Sequence, residues 1–258
     1  MTAVQGAGMF DLHSHLLPGV DDGSKSVEMS LPVLQRFVQD GVQCLVLTPH
    51  LNASEAANAP YERNVAIFEE LRSIAPQELD LRLGWEIMLD EPKIDLRSPR
   101  LALGGSRAVL VEFPRMSVPL AAGDELYRLR CSGVVPLLAH PERYWGCTVE
   151  RVEEWRRAGA VIQMDTAGLL GKSSVGKLSR ALVEQGMVDL FSSDNHGDSR
   201  SLKTARDWLL EVATPEHADL MTRTNARRLL DGQPIMPVPP LPRSNGVFGR
   251  LRELFLSR

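Results

Sequence analysis

The stretch Val134-Val135-Pro136-Leu137-Leu138-Ala139-His140-Pro141-Glu142-Arg143 decides the reading of the fold. Its first six residues are apolar without interruption, as in a strand covered on both faces. The run then stops on a histidine followed by charged residues. The same grammar recurs on either side. Strands are predicted over 9–12, 42–48, 79–84, 108–112, 134–139, 160–164 and 188–191, most of them short and largely apolar. Helical patterns lie between them. Val27, Leu31, Leu34 and Val38 share one helix face, as do Val175, Leu178 and Leu182, with Ser174 as the N-cap and Gly186 as the stop. Thr214-Pro215-Glu216 reads as an N-cap followed by proline at the first helical position. Regular strand–helix alternation calls for parallel strands with crossover helices, in a barrel of about seven strands or an open doubly wound sheet.

The polar residues favour the barrel, because strand C-terminal ends converge on one mouth there. His13 and His15 sit at i, i+2 in Asp11-Leu12-His13-Ser14-His15, so an extended chain points both to one side. Asp21-Asp22-Gly23 follows, and a turn there returns a carboxylate toward them. His50, Glu86, Glu112, His140, Asp194 and His196 each fall at or just past the end of an apolar run. Of the seven predicted strands only the sixth lacks an assigned ligand, although Asp165 stands near its end. A single such residue reads most simply as a turn residue or a satisfied core histidine. The joint pattern reads as a metal site. The sixth histidine, His217, falls in a predicted helix start and is expected on the surface. Imidazole and carboxylate without thiolate suit Mn²⁺, Fe or Zn²⁺ better than Mg²⁺. Nine ligands exceed what one ion needs, which implies two or three ions with shared carboxylates and a phosphoester hydrolase.

Other chemistries fit poorly. Cysteine-based phosphatases place an arginine six residues after the nucleophile, whereas Cys44, Cys131 and Cys147 are followed at that offset by His50, Leu137 and Glu153. Three widely spaced cysteines make neither a disulfide framework nor a thiolate zinc site. Gly171-Lys172-Ser173 lacks the first glycine of a phosphate loop, since position 166 is Thr166. A net charge of −4 argues against broad nucleic-acid binding but leaves room for a local basic pocket. The chain shows neither a signal peptide nor an apolar run long enough to span a membrane, so a cytoplasmic protein is expected.

With these residues assembled, the chain resembles the polymerase and histidinol phosphatase (PHP) superfamily. Within it, the similarity is greatest to the bacterial manganese-dependent protein-tyrosine phosphatases of capsule and exopolysaccharide synthesis. The stretch from Asp11 to Gly23, Thr48-Pro49-His50, Gly84-Trp85-Glu86, Val111-Glu112-Phe113, Ala139 to Arg143 and Ser193-Asp194-Asn195-His196 carry the resemblance, together with Asn225-Ala226-Arg227. It implies a distorted (β/α)7 barrel with a trinuclear centre in which His13, His15, Glu86 and Asp194 hold one metal. Glu86, Glu112 and His140 would hold a second, and Asp22, His50 and His196 a third. Arg143 would bind the substrate phosphate with Arg200 as the nearest second arginine. In the hydrolysis expected of such a site, His50, His196 or a metal-bound water could donate a proton. The implied substrate is a phosphotyrosine protein, a tyrosine autokinase in particular. A histidinol-phosphate phosphatase, a nucleotide or DNA phosphoesterase, and a non-catalytic metal-stabilised module are the rival readings. Trp85, Gly197 and Met164-Asp165-Thr166 depart from the family pattern without removing a ligand.

The implied organisation is an extension over 1–8, a barrel domain over 9–232, a proline-rich spacer over 233–245 and an amphipathic helix over 246–258. Val247, Phe248, Leu251, Leu254 and Phe255 alternate with basic residues in that last segment. It reads as a tail docked on the domain or a neighbouring subunit, or alternatively as a membrane-surface or partner-binding helix.

Overall fold

The computed structural model describes residues 8–241. The helix expected over 246–258 lies outside them, as do 1–7 and 242–245 of the flanking segments. In chain order the elements are β1 (Met9–Asp11), α1 (Val27–Asp40), β2 (Val42–Leu47), β3 (His50–Asn52), α2 (Tyr61–Ile74), β4 (Asp80–Leu83), β5 (Glu86–Met88) and β6 (Ala108–Glu112). There follow α3 (Ala122–Cys131), β7 (Val135–Ala139), α4 (Val149–Arg157), β8 (Val161–Asp165), α5 (Thr166–Leu169), α6 (Ser174–Glu184), β9 (Leu190–Ser192), α7 (Leu202–Val212), α8 (Pro215–Asp219) and α9 (Asn225–Leu230). Among the described residues no helix is long and apolar enough to cross a membrane.

Every strand pairing is parallel, in one sheet ordered β1-β2-β4 and another ordered β3-β5-β6-β7-β8-β9. The second and third predicted strands stop where expected, and after a two-residue break each is followed by a further short strand, β3 or β5. Pro49 has no N–H for a ladder, and Thr48-Pro49 separates β2 from β3 just as Gly84-Trp85 separates β4 from β5. Hydrogen bonds carry the pairing across the break: Gly84 N donates to Leu47 O at 2.9 Å and Glu86 N to Pro49 O at 3.1 Å. Beyond β1 and β9 the chain also pairs, through Asp194 N to His13 O at 3.0 Å, His15 N to Asn195 O at 2.7 Å and a parallel bridge between Ser14 and Asn195.

The apolar runs are explained by burial on both faces. In β6, Ala108 and Leu110 join one cluster with Leu12, Cys44, Val46, Leu137, Ala139, Val161 and Leu190, whereas Val109 and Val111 join the larger cluster under the helices. Alternation with a period of two sends successive residues to opposite sides. A fully buried Leu or Val contributes about 1.5–3 kcal/mol, so two-sided burial favours strands despite their shortness.

Local structure differs from expectation at four places. The buried stripe of α1 is Ser30, Val33, Leu34 and Phe37, with Val27, Leu31 and Val38 on its margins, a rotation of the expected face. Ser173, not Ser174, caps α6, accepting from Gly176 N at 3.3 Å. His217 is buried rather than superficial, because the proline-rich segment folds back over it: its Nδ1 lies 3.0 Å from Thr214 Oγ1 and its Nε2 3.3 Å from Pro239 O. That segment, read as a spacer, packs on the domain through buried Val238 and Leu241 as far as it is described.

Candidate metal centre

Eight of the nine predicted ligands lie at or next to the end of a strand, and the ninth, Asp22, lies in the bend between β1 and α1. His13 and His15 follow β1, His50 opens β3, Glu86 opens β5, Glu112 closes β6, His140 follows β7, and Asp194 and His196 follow β9. Two backbone conformations there are unusual. His140 and Asp194 have φ of 34° and 48°, a region costly for residues other than glycine. Hydrogen bonds hold both turns in place, from His140 N to Gln163 O at 2.8 Å and from Asp194 N to His13 O at 3.0 Å.

His13 Nε2 and His15 Nε2 face each other at 3.1 Å. Glu86 Oε2 lies 3.2 Å from both nitrogens, and Asp194 Oδ1 lies 3.3 Å from the first and 3.2 Å from the second. The far nitrogens are engaged: His13 Nδ1 donates to Gln163 Oε1 at 3.1 Å and His15 Nδ1 to Asp21 Oδ2 at 2.7 Å. With one ring proton on Nδ1, both Nε2 atoms and the two carboxylate oxygens can all turn lone pairs to an ion that displaces the second proton. Such a set suits a cation, and carbonyl or carboxylate partners behind metal-binding histidines fix the required tautomer. The donor set therefore fits a divalent metal.

Two further groups share these atoms. Glu86 Oε2 lies 3.0 Å from His50 Nδ1, and Glu86 Oε1 lies 2.7 Å from His140 Nε2. Glu112 stands 3.9 Å from His50 Nδ1 and 3.8 Å from His140 Nε2. At the solvent end, Asp22 Oδ1 lies 3.3 Å from His50 Nε2 and 3.5 Å from His196 Nε2. The sets His13–His15–Glu86, His50–Glu86–Glu112 and His15–Asp22–His50–His196 each have donor atoms within 4.8 Å of one another. Burial grades outward, from fully enclosed His13 and His15 to an Asp22 side chain that is 70% exposed.

Burial penalises charged imidazoles, yet Glu86 and Asp194 outweigh it and raise His13, while the same carboxylates and Asp21 raise His15 well above its ordinary range. Glu86 is held well below the usual carboxylate range, because the histidines around it overcome its burial. Glu112 behaves oppositely: burial and the nearby Glu86 charge push it up to about 7. Burial lowers His140 and His196.

Both predicted arginines reach the site. Arg143 Nη2 lies 2.7 Å from Asp194 Oδ2, and Arg200 Nη1 lies 3.1 Å from the same oxygen. Arg143 also contacts Asp165. Four supporting residues carried no assigned role in the sequence. Asp21 and Gln163 orient His15 and His13. Asp165 meets Arg143 while capping α5, accepting from Ala167 N at 2.9 Å. Buried Asp11 accepts from Ser193 N at 3.0 Å and His13 N at 3.3 Å, joining the ends of β1 and β9. Alternation in Val161-Ile162-Gln163-Met164-Asp165 was the available signal, since it places Gln163 and Asp165 on the face of Val161. Gly23 permits the tight return of Asp21: a Cβ there would lie 2.1 Å from His15 O.

Comparison with known proteins follows this geometry. Tyrosine-protein phosphatase YwqE of Bacillus subtilis is 29% identical over 245 residues, spanning 91% of this chain and 96% of that protein. Tyrosine-protein phosphatase CpsB of Streptococcus pneumoniae is 28% identical over 242 residues, 87% of this chain and 99% of that one. A solved structure described with YwqE and CpsB as metal-dependent tyrosine phosphatases superposes with a TM-score of 0.72 at 26% identity, covering 91% of this chain and 100% of that chain. The phosphotriesterase homology protein of Escherichia coli, at 13% identity and a TM-score of 0.51 over 87% of this chain and 99% of that one, shares the fold alone. The family model for capsular polysaccharide synthesis, CpsB/CapC, matches residues 9–231, and this chain belongs to that family.

Proposed function

We propose that this protein is a metal-dependent protein-tyrosine phosphatase that acts on a bacterial tyrosine autokinase controlling exopolysaccharide synthesis in the cytoplasm. The observation that carries the reading is the convergence of His13 Nε2, His15 Nε2, Glu86 Oε2 and Asp194 Oδ1, four acceptors within 3.3 Å of a neighbour. The hydrogen bonds between the β1 and β9 extensions support a closed, distorted seven-stranded barrel, with the break-spanning bonds at Gly84 and Glu86 joining the two sheets into one wall. In such a barrel the strand ends share one mouth.

His13, His15, Glu86 and Asp194 would hold one ion, Glu86, Glu112 and His140 a second, and Asp22, His50 and His196 a third. Mn²⁺ is the leading candidate, with Fe or Zn²⁺ as the alternatives suited to mixed imidazole and carboxylate donors. Divalent ions bound there lower the pKa of water and neutralise phosphoryl charge. The chain supplies the rest. Arg143 and Arg200 flank Asp194, placing two planar guanidinium groups at the mouth, where each can take two phosphate oxygens. Asp165 and Asp194 hold Arg143 in place before substrate arrives. His50 and His196 stand at the solvent edge, where an imidazole not engaged by an ion would protonate the leaving oxygen. A phenol with pKa of about 10 needs less such help than an alkyl alcohol.

The open outer edge supports a protein substrate. His50 is 41% exposed and Asp22 70%, so a tyrosyl phosphate on another chain can reach the site. The test is hydrolysis of a phosphotyrosine peptide after chelation and add-back of Mn²⁺, Fe²⁺ or Zn²⁺, with metal content measured in parallel. Activity should vanish with the metal and return with Mn²⁺. Activity indifferent to chelation would overturn the reading, and faster turnover of histidinol phosphate or single-stranded DNA would move the substrate to that class.

A further inference from the structure

We propose that the face opposite the metal centre carries a second binding site, for an organic phosphate such as a nucleotide. A cavity of about 550 Å³ opens there. It is lined by residues at the strand starts, among them Arg107 just before β6, Ala108 of β6, Val135 of β7, Val161 of β8 and Asp189 just before β9. The metal-facing residues Glu112, His140 and Asp194 follow the other ends of the same strands. A five-residue strand separates the two by roughly 15 Å.

The cavity walls are cationic although the chain carries a net charge of −4. Arg107, Arg130, Arg156 and Arg157 line it against only Glu153 and Asp189. Two arginines are spoken for: Arg156 pairs with Asp189 at 2.9 Å and Arg157 with Glu153 at 2.6 Å. Among the described residues, the Arg107 and Arg130 side chains have neither a carboxylate nor a hydrogen-bond partner. Both are exposed at the cavity rim, and the stem of Arg130 is packed. Its stem lies across Gly159, where a Cβ would come within 2.7 Å of Arg130 Cγ, and Gly159 adopts φ of 100°. Any side chain at 159 would displace that arginine.

Charge and size together name the ligand class. Two unpaired guanidinium groups match the roughly −1.5 to −2 charge of a phosphate monoester at neutral pH. Arginine forks pair with phosphate oxygens bidentately. The volume falls within the range of about 300–1,000 Å³ typical of small-molecule sites and exceeds what a bare phosphate fills. Ala108, Val135, Val161, Leu229 and Ile235 supply an apolar lining for a flat or aliphatic body. Gly232 and Gln233 close one side, so a bound ligand would tie the segment after α9 to the strand starts.

The test uses α,β-methylene-ADP, which resists hydrolysis, as the calorimetric probe on metal-loaded, full-length protein. Arg143→Ala should leave binding intact at this face. Arg107→Gln combined with Arg130→Gln should weaken binding about 10- to 100-fold, the loss expected for charge-assisted hydrogen bonds. That double variant should keep its circular dichroism, its melting temperature and its basal phosphotyrosine turnover, since neither residue lies near the metal centre. Inorganic phosphate should bind far more weakly than the probe. Binding that disappears in Arg143→Ala but survives in the double variant would overturn the proposal, as would no detectable binding to the wild-type protein.

Discussion

His13 Nε2 and His15 Nε2 lie 3.1 Å apart, with the opposite nitrogen of each ring occupied by Gln163 or Asp21. Two ring nitrogens so placed repel unless a proton or a metal ion stands between them. The partners behind the rings should therefore control metal affinity without touching the metal. Gln163→Ala and Asp21→Asn are each expected to weaken metal binding about 10- to 100-fold. Titration with competing chelators measures this, and unchanged affinity in both variants would remove the orienting role.

Arg143 bridges two carboxylates of different function. Asp194 belongs to the proposed metal set, whereas Asp165 serves Arg143 and the α5 cap. Arg143→Ala should lower kcat/KM on a phosphotyrosine peptide by about 100-fold or more, as for loss of a donor aimed at developing charge. Asp165→Asn preserves a competent cap but releases the guanidinium. It should cost roughly 10-fold through misplacement, with an unchanged melting temperature. A drop in melting temperature of Asp165→Asn that accounts for its whole loss of activity would assign Asp165 to the cap alone.

Glu142 gives a pH signature. Burial pushes its carboxyl from an ordinary 4.5 up to about 8. Between those values the folded protein holds a proton that the unfolded chain releases, so this group's contribution to stability falls as pH rises through that window. The slope reaches at most about 1.4 kcal/mol per pH unit. Glu142→Gln should flatten the decline in urea-unfolding free energy of chelated protein between about pH 5 and 8. Parallel curves for wild type and variant would mean that Glu142 is ionised throughout.

Tyr144 ties two strand ends behind the site. Its hydroxyl donates to Ala139 O at 2.8 Å and accepts from Phe113 N at 3.2 Å, and its ring packs edge-on against Trp155. Tyr144→Phe strands a buried N–H and a buried carbonyl. A loss of about 1–3 kcal/mol is expected, read by urea denaturation with metal present. A loss within error of zero would show that the strand ends hold together without it.

Much of the site was legible before any coordinates. Glu112 and His140 stand where apolar runs stop, and that position follows from burial: a strand covered on both faces cannot carry charge until it leaves the layer. Asp165 and Gln163 were harder to see. They sit inside or at the end of a predicted strand, where the residue's own face matters and linear spacing with the histidines carries no information. The short strands β3 and β5 were also hidden, because each has three residues and opens on a candidate ligand, too little for an apolar run of its own.

The chain alone carried the parallel α/β alternation and the choice of candidate ligands, because both rest on local composition and period. Tertiary structure alone decided which atoms share a neighbour: that Glu86 faces four histidines, that Asp21 stands behind His15 while Asp22 stands in front, and that arginines from three separate segments line a cavity under the strands. Those relations depend on distances between residues far apart in sequence. Sheet closure and side-chain packing set them, and no local pattern encodes them.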